Sequence, residues 1–320
     1  MNGVFKQSPE DFEVEELPAY LPSGEGEHLF LWVEKRGVST PDAAKRLTRQ
    51  LGLSERDISW AGLKDKLAVT RQFFSVTSKV EGLVGSFEDP DVKILSAKKH
   101  KNKLKTGHLG GNRFTLHVRS VTDPAAFRAA YDGLVANGVP NFFGEQRFGA
   151  DNAAQGKQLL LRGGKGGGNR FERKLLLSSY QSLLFNRALE RRIAAGTLAR
   201  ALLGDVLKKH ETGGEFVCAD PGVDQPRVEA FEVSPTGPMF GPKMRRAEGE
   251  VGALEQGLLD EEKIGLEVFD AGGGETLGTR RLFRVRLGEP SLSLEGDVAK
   301  LAFTLPSGSY ATVVLGELTR

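Results

Sequence analysis

Alternating apolar and polar residues indicate several strands in the first part of the chain. The clearest run, residues 113–118, places Phe114, Leu116 and Val118 on one side and polar residues on the other. A period of two residues is that of a strand with one buried face. Residues 28–33 and 73–77 are similarly apolar and aromatic. The pattern therefore predicts strands in all three segments.

Two amphipathic helices are predicted between and after these strands. Thr40 has the residue type of an N-cap, Pro41 that of a first helical position, and Gly52 ends the segment. A second helix is predicted over 123–138, from an Asp-Pro pair to a glycine. The first 140 residues are therefore expected to form an α+β unit with a mixed, mostly antiparallel sheet.

The composition changes after Gly138. Glycine-rich breaks follow at 163–168, 213–214 and 272–274. The first break lacks the spacing and the Ser or Thr of a phosphate-binding loop, so flexible connections are the better interpretation. A long helix is predicted to begin at Ser178, because Gln181 supplies the spacing of a capping box.

The overall composition, with 39% hydrophobic and 27% charged residues, is that of a soluble globular protein. Cys218 is the single cysteine, which excludes an internal disulfide and fits a reducing compartment. The first residues do not form an apolar leader, and there is no run of about 18 apolar residues that could span a membrane. We therefore expect a cytoplasmic protein without membrane association.

Positive charge is concentrated in one block, although the net charge is only +2. Residues 92–122 contain no acidic side chain, and their basic side chains are Lys93, Lys98, Lys99, Lys101, Lys103, Lys105, Arg113 and Arg119. Such a block in a nearly neutral protein is typical of a surface that binds polyanions. The alternative is a solvated face that is basic by chance. The length of the block favours binding, with nucleic acid as the expected partner.

A single carboxylate stands between two lysines in segment 62–72, Gly-Leu-Lys-Asp-Lys-Leu-Ala-Val-Thr-Arg-Gln. Positive charge beside Asp65 favours its ionised form. An ionised, partly dehydrated carboxylate can act as a nucleophile without a cofactor. On spacing alone, however, a solvated turn is the commoner outcome for Lys64-Asp65-Lys66.

Several segments together resemble the TruD family of tRNA pseudouridine synthases. The most specific is 62–72. The others, in the family's order, are 9–16 (PEDFEVEE), 24–30 (GEGEHLF), 110–114 (GGNRF), 140–149 (PNFFGEQRFG) and 305–312 (LPSGSYAT). Together they favour a functional site over a solvated turn at Asp65.

The resemblance implies a pseudouridine-synthase catalytic domain formed by residues 1–139 and 283–320, interrupted by an inserted α/β TRUD domain at 140–282. The family isomerises uridine at position 13 of tRNA to pseudouridine: the C1′–N1 bond breaks and a C1′–C5 bond forms. Because nothing is oxidised and no external group is added, the resemblance implies no cofactor and no metal. We expect a monomer that binds tRNA.

The resemblance also implies how the carboxylate is used. Asp65 would be the nucleophile, attacking either C1′ of the ribose or C6 of the base. Lys6 would be the cation that keeps it ionised, rather than the adjacent Lys64 or Lys66. The alternative for Lys6 is an ordinary surface lysine.

The implied substrate contacts are Phe12, Asn112, Phe114 and Phe303. Phe114 would stack on the flipped uracil and Asn112 would hydrogen-bond it; core packing is the alternative for each phenylalanine. The sequence Gly-Gly-Asn-Arg-Phe also occurs at 167–171, where Asn169 and Phe171 would take these roles. The first copy is preferred, because it follows the basic block and opens the alternating strand.

The expected phosphate contacts are Lys99, Lys101, Lys103 and Lys105, which would position tRNA without reading its sequence. In the inserted domain, shape recognition of RNA would use Arg147, Arg170 and Arg173.

Two other classes of protein stay open. A noncatalytic RNA-binding protein on the same scaffold would not need the carboxylate. A hydrolase would need a second carboxylate as acid or base, for which Glu15, Glu16 and Glu145 are available. The base that removes the C5 proton is not identified by the sequence.

Overall fold

The computed structural model describes residues 3–166 and 168–319. Contacts between Cα atoms divide the chain into two compact units. The first unit comprises the described residues up to Asp132, then Leu287–Ala311 and the residues from Glu317. The second unit comprises Gly133–Arg286 and Thr312–Gly316.

The strands, numbered along the chain, are β1 (Phe12–Pro18), β2 (His28–Arg36), β3 (Ser59–Trp60), β4 (Val69–Thr77), β5 (Val92–His100), β6 (Leu109–Val118), β7 (Val139–Pro140), β8 (Val206–Lys209), β9 (Glu215–Val217), β10 (Val233–Met239), β11 (Thr279–Leu282), β12 (Arg284–Val285), β13 (Gly288–Glu295) and β14 (Val298–Pro306). The α-helices are α1 (Thr40–Gln50), α2 (Pro124–Asn137), α3 (Asn152–Leu161), α4 (Arg170–Ala194), α5 (Pro221–Glu229), α6 (Gly249–Glu261) and α7 (Ala311–Leu318). Short 3-10 helices cover Pro9–Asp11, Ser78–Ser86, Glu145–Arg147 and Leu266–Glu275.

One sheet organises the first unit. Its strand order is β13-β14-β6-β1-β4-β2-β5, with β3 beside β4. β1 and β4 pair in parallel, whereas the other neighbours are antiparallel. The predicted α+β fold with a mostly antiparallel sheet is confirmed, and the strands predicted at 28–33, 73–77 and 113–118 lie within β2, β4 and β6.

Helix α1 covers part of this sheet. Its Leu47 is fully buried against Leu29 and Leu31 of β2 and Phe74 of β4. The predicted N-cap was wrong by one residue: the Ser39 hydroxyl accepts the Asp42 N–H, and Thr40 is the first helical residue. This displacement leaves the Thr40 hydroxyl available for contacts outside its own helix.

The second unit combines helices with a smaller antiparallel sheet of order β11-β10-β8-β9 and a separate β7–β12 pair. Tyr180, Leu184 and Phe185 of α4 lie in its core. The predicted start of α4 at Ser178 was wrong, because the helix begins eight residues earlier at Arg170. Among the helices that the structure describes, none has the length and apolarity needed to cross a membrane.

Candidate active site

The loop between β3 and β4 carries Asp65, and buried side chains fix its backbone. The Thr40 hydroxyl accepts the Lys64 N–H at 2.9 Å and donates to Gln72 Oε1 at 3.0 Å. Gln72 Nε2 in turn donates to the Gly62 carbonyl at 3.0 Å. Thr40 and Gln72 are fully buried, so these bonds are shielded from competing water.

The lysine that precedes Asp65 is buried, and a buried carboxylate compensates its charge. Lys64 Nζ lies 3.0 Å from Glu16 Oε2, with both side chains buried. Glu16 Oε1 also accepts the Phe73 N–H at 3.3 Å. Because both of its oxygens are engaged, Glu16 is poorly placed to serve as the second carboxylate of a hydrolase. Lys66, on the other side of Asp65, is exposed.

A distant lysine supplies positive charge at the Asp65 carboxylate. Lys6 Nζ lies 3.6 Å from Asp65 Oδ2 and 4.0 Å from the centre of the Phe12 ring. A cation over an aromatic face is attracted by the ring quadrupole. Lys6 also has a φ of +60°, a backbone state that costs energy for a non-glycine residue. The ammonium group is thus held between the carboxylate and an aromatic ring.

Three phenylalanines form a row across adjacent strands. The ring centres of Phe12 (β1) and Phe114 (β6) are 6.2 Å apart, and those of Phe114 and Phe303 (β14) are 5.5 Å apart. Their exposed fractions are 1%, 5% and 1%, respectively. The row brings together the three predicted substrate-contacting rings. A base could reach the face of Phe114 only after a ring or one of its neighbours moves.

Asn112 lies two residues before Phe114 on β6, directly opposite Glu16 of β1. Its Oδ1 atom is buried and has no hydrogen-bond partner among the residues that the structure describes. A buried acceptor without a donor costs about 1–3 kcal/mol. A ligand N–H group would satisfy this oxygen, and the N3–H of uracil is such a donor.

The second Gly-Gly-Asn-Arg-Phe copy lies in the other unit. Its Gly167 falls outside the described residues. Asn169 is the N-cap of α4 and accepts the Glu172 N–H at 3.0 Å, which is a different use of the same residue type. Phe171 is 74% exposed. The second copy thus forms the start of a helix, whereas the first lies in a strand.

Sequence reasoning missed Lys35 on β2. Its Nζ donates to the Asp65 carbonyl at 2.8 Å and to the Val38 carbonyl at 2.7 Å, and the residue is fully buried. Burial lowers the pKa of Lys35 to about 8, and the charge of Asp65 opposes this shift. A usable signal was present in the sequence, because Lys35 continues the inward-facing alternation of Leu29, Leu31 and Val33.

The basic block has acidic partners from elsewhere in the chain. Lys99 Nζ lies 2.8 Å from Glu81 and Lys101 Nζ lies 2.6 Å from Glu25. Lys103 donates to the Arg56 carbonyl at 2.9 Å, and Lys105 is exposed. Exposed ion pairs contribute only about 0–1 kcal/mol, so these pairs would compete weakly with phosphate.

The three arginines proposed for the inserted domain already have partners in the second unit. Arg173 and Arg170 lie 3.1 Å and 3.6 Å from Glu275, and Arg147 donates to the Ser182 hydroxyl at 3.3 Å. Within the described residues, no group of three or more His, Cys, Asp and Glu side chains is arranged to hold a metal ion.

Known proteins resemble this chain over nearly its whole length. The model of the family described as tRNA pseudouridine synthase D (TruD) matches residues 1–163 and 170–318. A tRNA pseudouridine synthase D of Anaeromyxobacter dehalogenans is 52% identical over 99% of this chain and 93% of its own length. A tRNA pseudouridine synthase D of Thermus thermophilus is 43% identical over 100% of this chain and 89% of its own length.

A solved structure is similar as well. A Methanosarcina mazei protein whose crystal structure carries the TruD name superposes with a TM-score of 0.78 at 26% identity, covering 99% of this chain and 93% of the other. The family predicted from the sequence segments is therefore confirmed. The chain belongs to the TruD family of tRNA pseudouridine synthases, which are isomerases.

Proposed function

We propose that this protein converts uridine at position 13 of tRNA to pseudouridine, with Asp65 as the nucleophile. The C1′–N1 bond breaks, a C1′–C5 bond forms, the proton on C5 is lost and N1 gains a proton. Asp65 attacks either C1′ of the ribose or C6 of the base. In both routes the covalent bond to the carboxylate is later broken, so the enzyme is regenerated.

The observation that carries this proposal is the 3.6 Å approach of Lys6 Nζ to the Asp65 carboxylate. A nearby cation favours the ionised form, which is the form that attacks. The adjacent Lys64 is occupied by Glu16 at 3.0 Å, so its charge is already compensated. Lys6 and Asp65 therefore form the charge pair of the proposed site.

Substrate recognition is proposed to involve Asn112, Phe114, Phe12 and Phe303. The Asn112 Oδ1 atom, which has no hydrogen-bond partner among the described residues, supports this role, because a buried acceptor on the strand opposite Glu16 fits the N3–H of a flipped uracil. Stacking on an aromatic ring is worth about 1–3 kcal/mol per base, which offsets much of the cost of extruding it.

Each of the two expected domains is assigned one part of the proposed function. Catalysis is assigned to residues 1–139 and 283–320, and shape recognition of tRNA to the inserted TRUD domain at 140–282. The basic block of the first unit, with Lys99, Lys101, Lys103 and Lys105, would bind phosphates. Arg147, Arg170 and Arg173 are the proposed RNA contacts of the second unit.

Tritium release tests the proposal. With tRNA carrying uridine tritiated at C5, the wild-type protein is expected to release tritium, and Asp65→Asn is expected to release none. Glu55→Gln is the matched control, because it removes one negative charge from an exposed residue of the same unit. Replacing U13 by cytidine in the tRNA should abolish release if position 13 is the target.

The alternative function is a noncatalytic RNA-binding protein on the same scaffold. It would bind tRNA with normal affinity but release no tritium from any tRNA. Full activity of Asp65→Asn would contradict the proposed nucleophile while leaving membership of the family intact.

A further inference from the structure

The buried Lys35 is the strongest feature that the proposed chemistry does not yet use. It occupies an inward position of β2 in line with Leu29, Leu31 and Val33, which are all fully buried. Burying an ammonium group among apolar side chains is unfavourable unless its hydrogens find partners. Lys35 finds them in two backbone carbonyls, those of Val38 and Asp65.

These two bonds connect separate segments of the chain. Val38 lies in the turn between β2 and α1, and Asp65 lies in the loop between β3 and β4. Lys35 therefore fixes the backbone of the nucleophile, at 2.8 Å, against the start of α1, at 2.7 Å. The Thr40 and Gln72 bonds hold Lys64 and Gly62, which both precede Asp65 in the loop, and the Lys35 bond holds Asp65 itself.

The surroundings of Lys35 make its charge sensitive to pH. The residues directly across from it are Thr70 on β4 and Val92 on β5, and neither titrates. The charged neighbours are Asp65, which raises the pKa of Lys35, and Lys64, which lowers it together with burial. Glu16 compensates the charge of Lys64 at 3.0 Å.

We propose that Lys35 is a positioning residue of the pseudouridine synthase, whose protonated side chain holds the Asp65 loop in its reactive geometry. The inference rests on the proposed role of Asp65. An ammonium donates stronger hydrogen bonds to carbonyls than a neutral amine does. The charge on Lys35 also stabilises the ionised Asp65 carboxylate from the protein side, as Lys6 does at the carboxylate itself.

The consequence is a loss of rate above about pH 8, where Lys35 loses its proton. The loss should appear in kcat at saturating tRNA and leave tRNA affinity unchanged, because Lys35 is fully buried and does not reach RNA. A misplacement of the nucleophile by about 1 Å can cost about 100-fold in rate.

The test compares single-turnover rates of wild type, Lys35→Met and Lys35→Arg between pH 6.5 and 9. Lys35→Met is expected to lower the rate about 100-fold at neutral pH, with an unchanged Kd for tRNA. Lys35→Arg keeps its charge throughout this range, so its rate should not fall above pH 8. Lys66→Met, an exposed lysine of the same loop, is the control and should keep the wild-type profile.

Turnover of Lys35→Met within about twofold of wild type, or a wild-type fall in rate that persists in Lys35→Arg, overturns the proposal. If Lys35→Met does not fold, the pH dependence of the rate of Lys35→Arg alone tests the proposal. If neither folds, a wild-type rate that is constant from pH 7 to 8.5 overturns it. Asp65→Asn separates the two claims, since an inactive Asp65→Asn beside an active Lys35→Met contradicts only the role of Lys35.

Discussion

Two asparagines in identical sequence contexts serve different purposes in this protein. Asn112 sits on a central strand with a buried oxygen that no described group satisfies. Asn169 uses its side chain to cap a helix of 25 residues. The same five residues thus yield a candidate ligand contact in one place and a local structural contact in the other.

Alanine substitutions should separate these purposes. Asn112→Ala is expected to lower kcat/KM for tRNA without loss of stability, because it removes an unsatisfied buried acceptor. Asn169→Ala is expected to cost about 1 kcal/mol of stability through the lost N-cap while preserving turnover. Tritium release and urea unfolding measure the two quantities. Unimpaired turnover by Asn112→Ala would instead favour Asn169 and Phe171 as the substrate contacts.

Lys35 should also change how the free energy of unfolding depends on pH. Its pKa is about 8 in the folded protein, below the usual 10.5, so the unfolded chain binds more protons between these values. As the pH rises from about 8 to 10.5, the free energy of unfolding of the wild type should therefore increase relative to that of Lys35→Met. The gain is at most on the order of 3 kcal/mol.

Urea unfolding followed by tryptophan fluorescence measures this gain, because Trp32 and Trp60, the two tryptophans of the chain, both lie in the first unit. The exposed Lys66→Met variant is the control and should show no gain relative to wild type in this window. Parallel stability curves for wild type and Lys35→Met between pH 7 and 10.5 would show that Lys35 keeps an ordinary proton affinity in the folded protein.

At the scale of elements, periodicity predicted more than capping chemistry did. The strand at 113–118 was predicted because burial of one sheet face imposes a period of two, and those at 28–33 and 73–77 were predicted from runs of apolar and aromatic residues. Of the three predicted helix starts, those at Thr40 and Ser178 were misplaced. The third is confirmed, because α2 begins at Pro124 and Asp123 Oδ1 accepts the Ala126 N–H at 2.9 Å. Ser39 and Thr40 are equally good caps by residue type, and the tertiary bonds of Thr40 with Lys64 and Gln72 cannot be deduced from local sequence.

The basic block shows a similar limit. Its lack of acidic residues along the sequence indicated free positive charge, but the sheet and its loops bring Glu81 to Lys99 and Glu25 to Lys101. Charge compensation of this kind depends on which strands are neighbours. Sequence composition identified the block, and only the fold reveals its partners.

The salt dependence of tRNA binding tests the role of this block. Replacing Lys99, Lys101 and Lys103 by Ala should weaken binding and reduce the slope of log K against log salt by up to about 3. Lys45→Ala/Lys300→Ala, which removes exposed lysines elsewhere in the first unit, should leave the slope unchanged.

A second arm of the same experiment uses the acidic partners. Glu25→Gln and Glu81→Gln should strengthen binding at low salt, because they release Lys101 and Lys99 from their ion pairs. An unaltered slope in the triple lysine variant would exclude the block as the phosphate contact.

At the scale of the whole molecule, the candidate site draws on residues that are far apart in sequence. The site combines residues from four separate segments, which the strand order of one sheet brings close together: Lys6, Asp65, Asn112 and Phe303. No periodicity predicts such a meeting, and family resemblance alone indicated it. Lys35 was missed because a lysine on a strand is ordinarily solvated, and its burial depends on the closing of α1 over the sheet.

The order of the strands has a consequence for how the chain closes. β14 pairs with β6, although roughly 180 residues separate them along the sequence. The short β7–β12 pair joins residues 139–140 to 284–285. Nearly all of the second unit then forms a loop that this pair closes. Once this pair has formed, only roughly 35 residues of open chain remain between β6 and β14.

Closing the shorter loop costs about 1.5 kcal/mol less in chain entropy. A two-residue ladder remote from Asp65 in sequence thus lowers the entropic cost of bringing Phe303 beside Phe114. If the second unit folds before β14 docks, its length adds only a small entropic cost to completing the sheet.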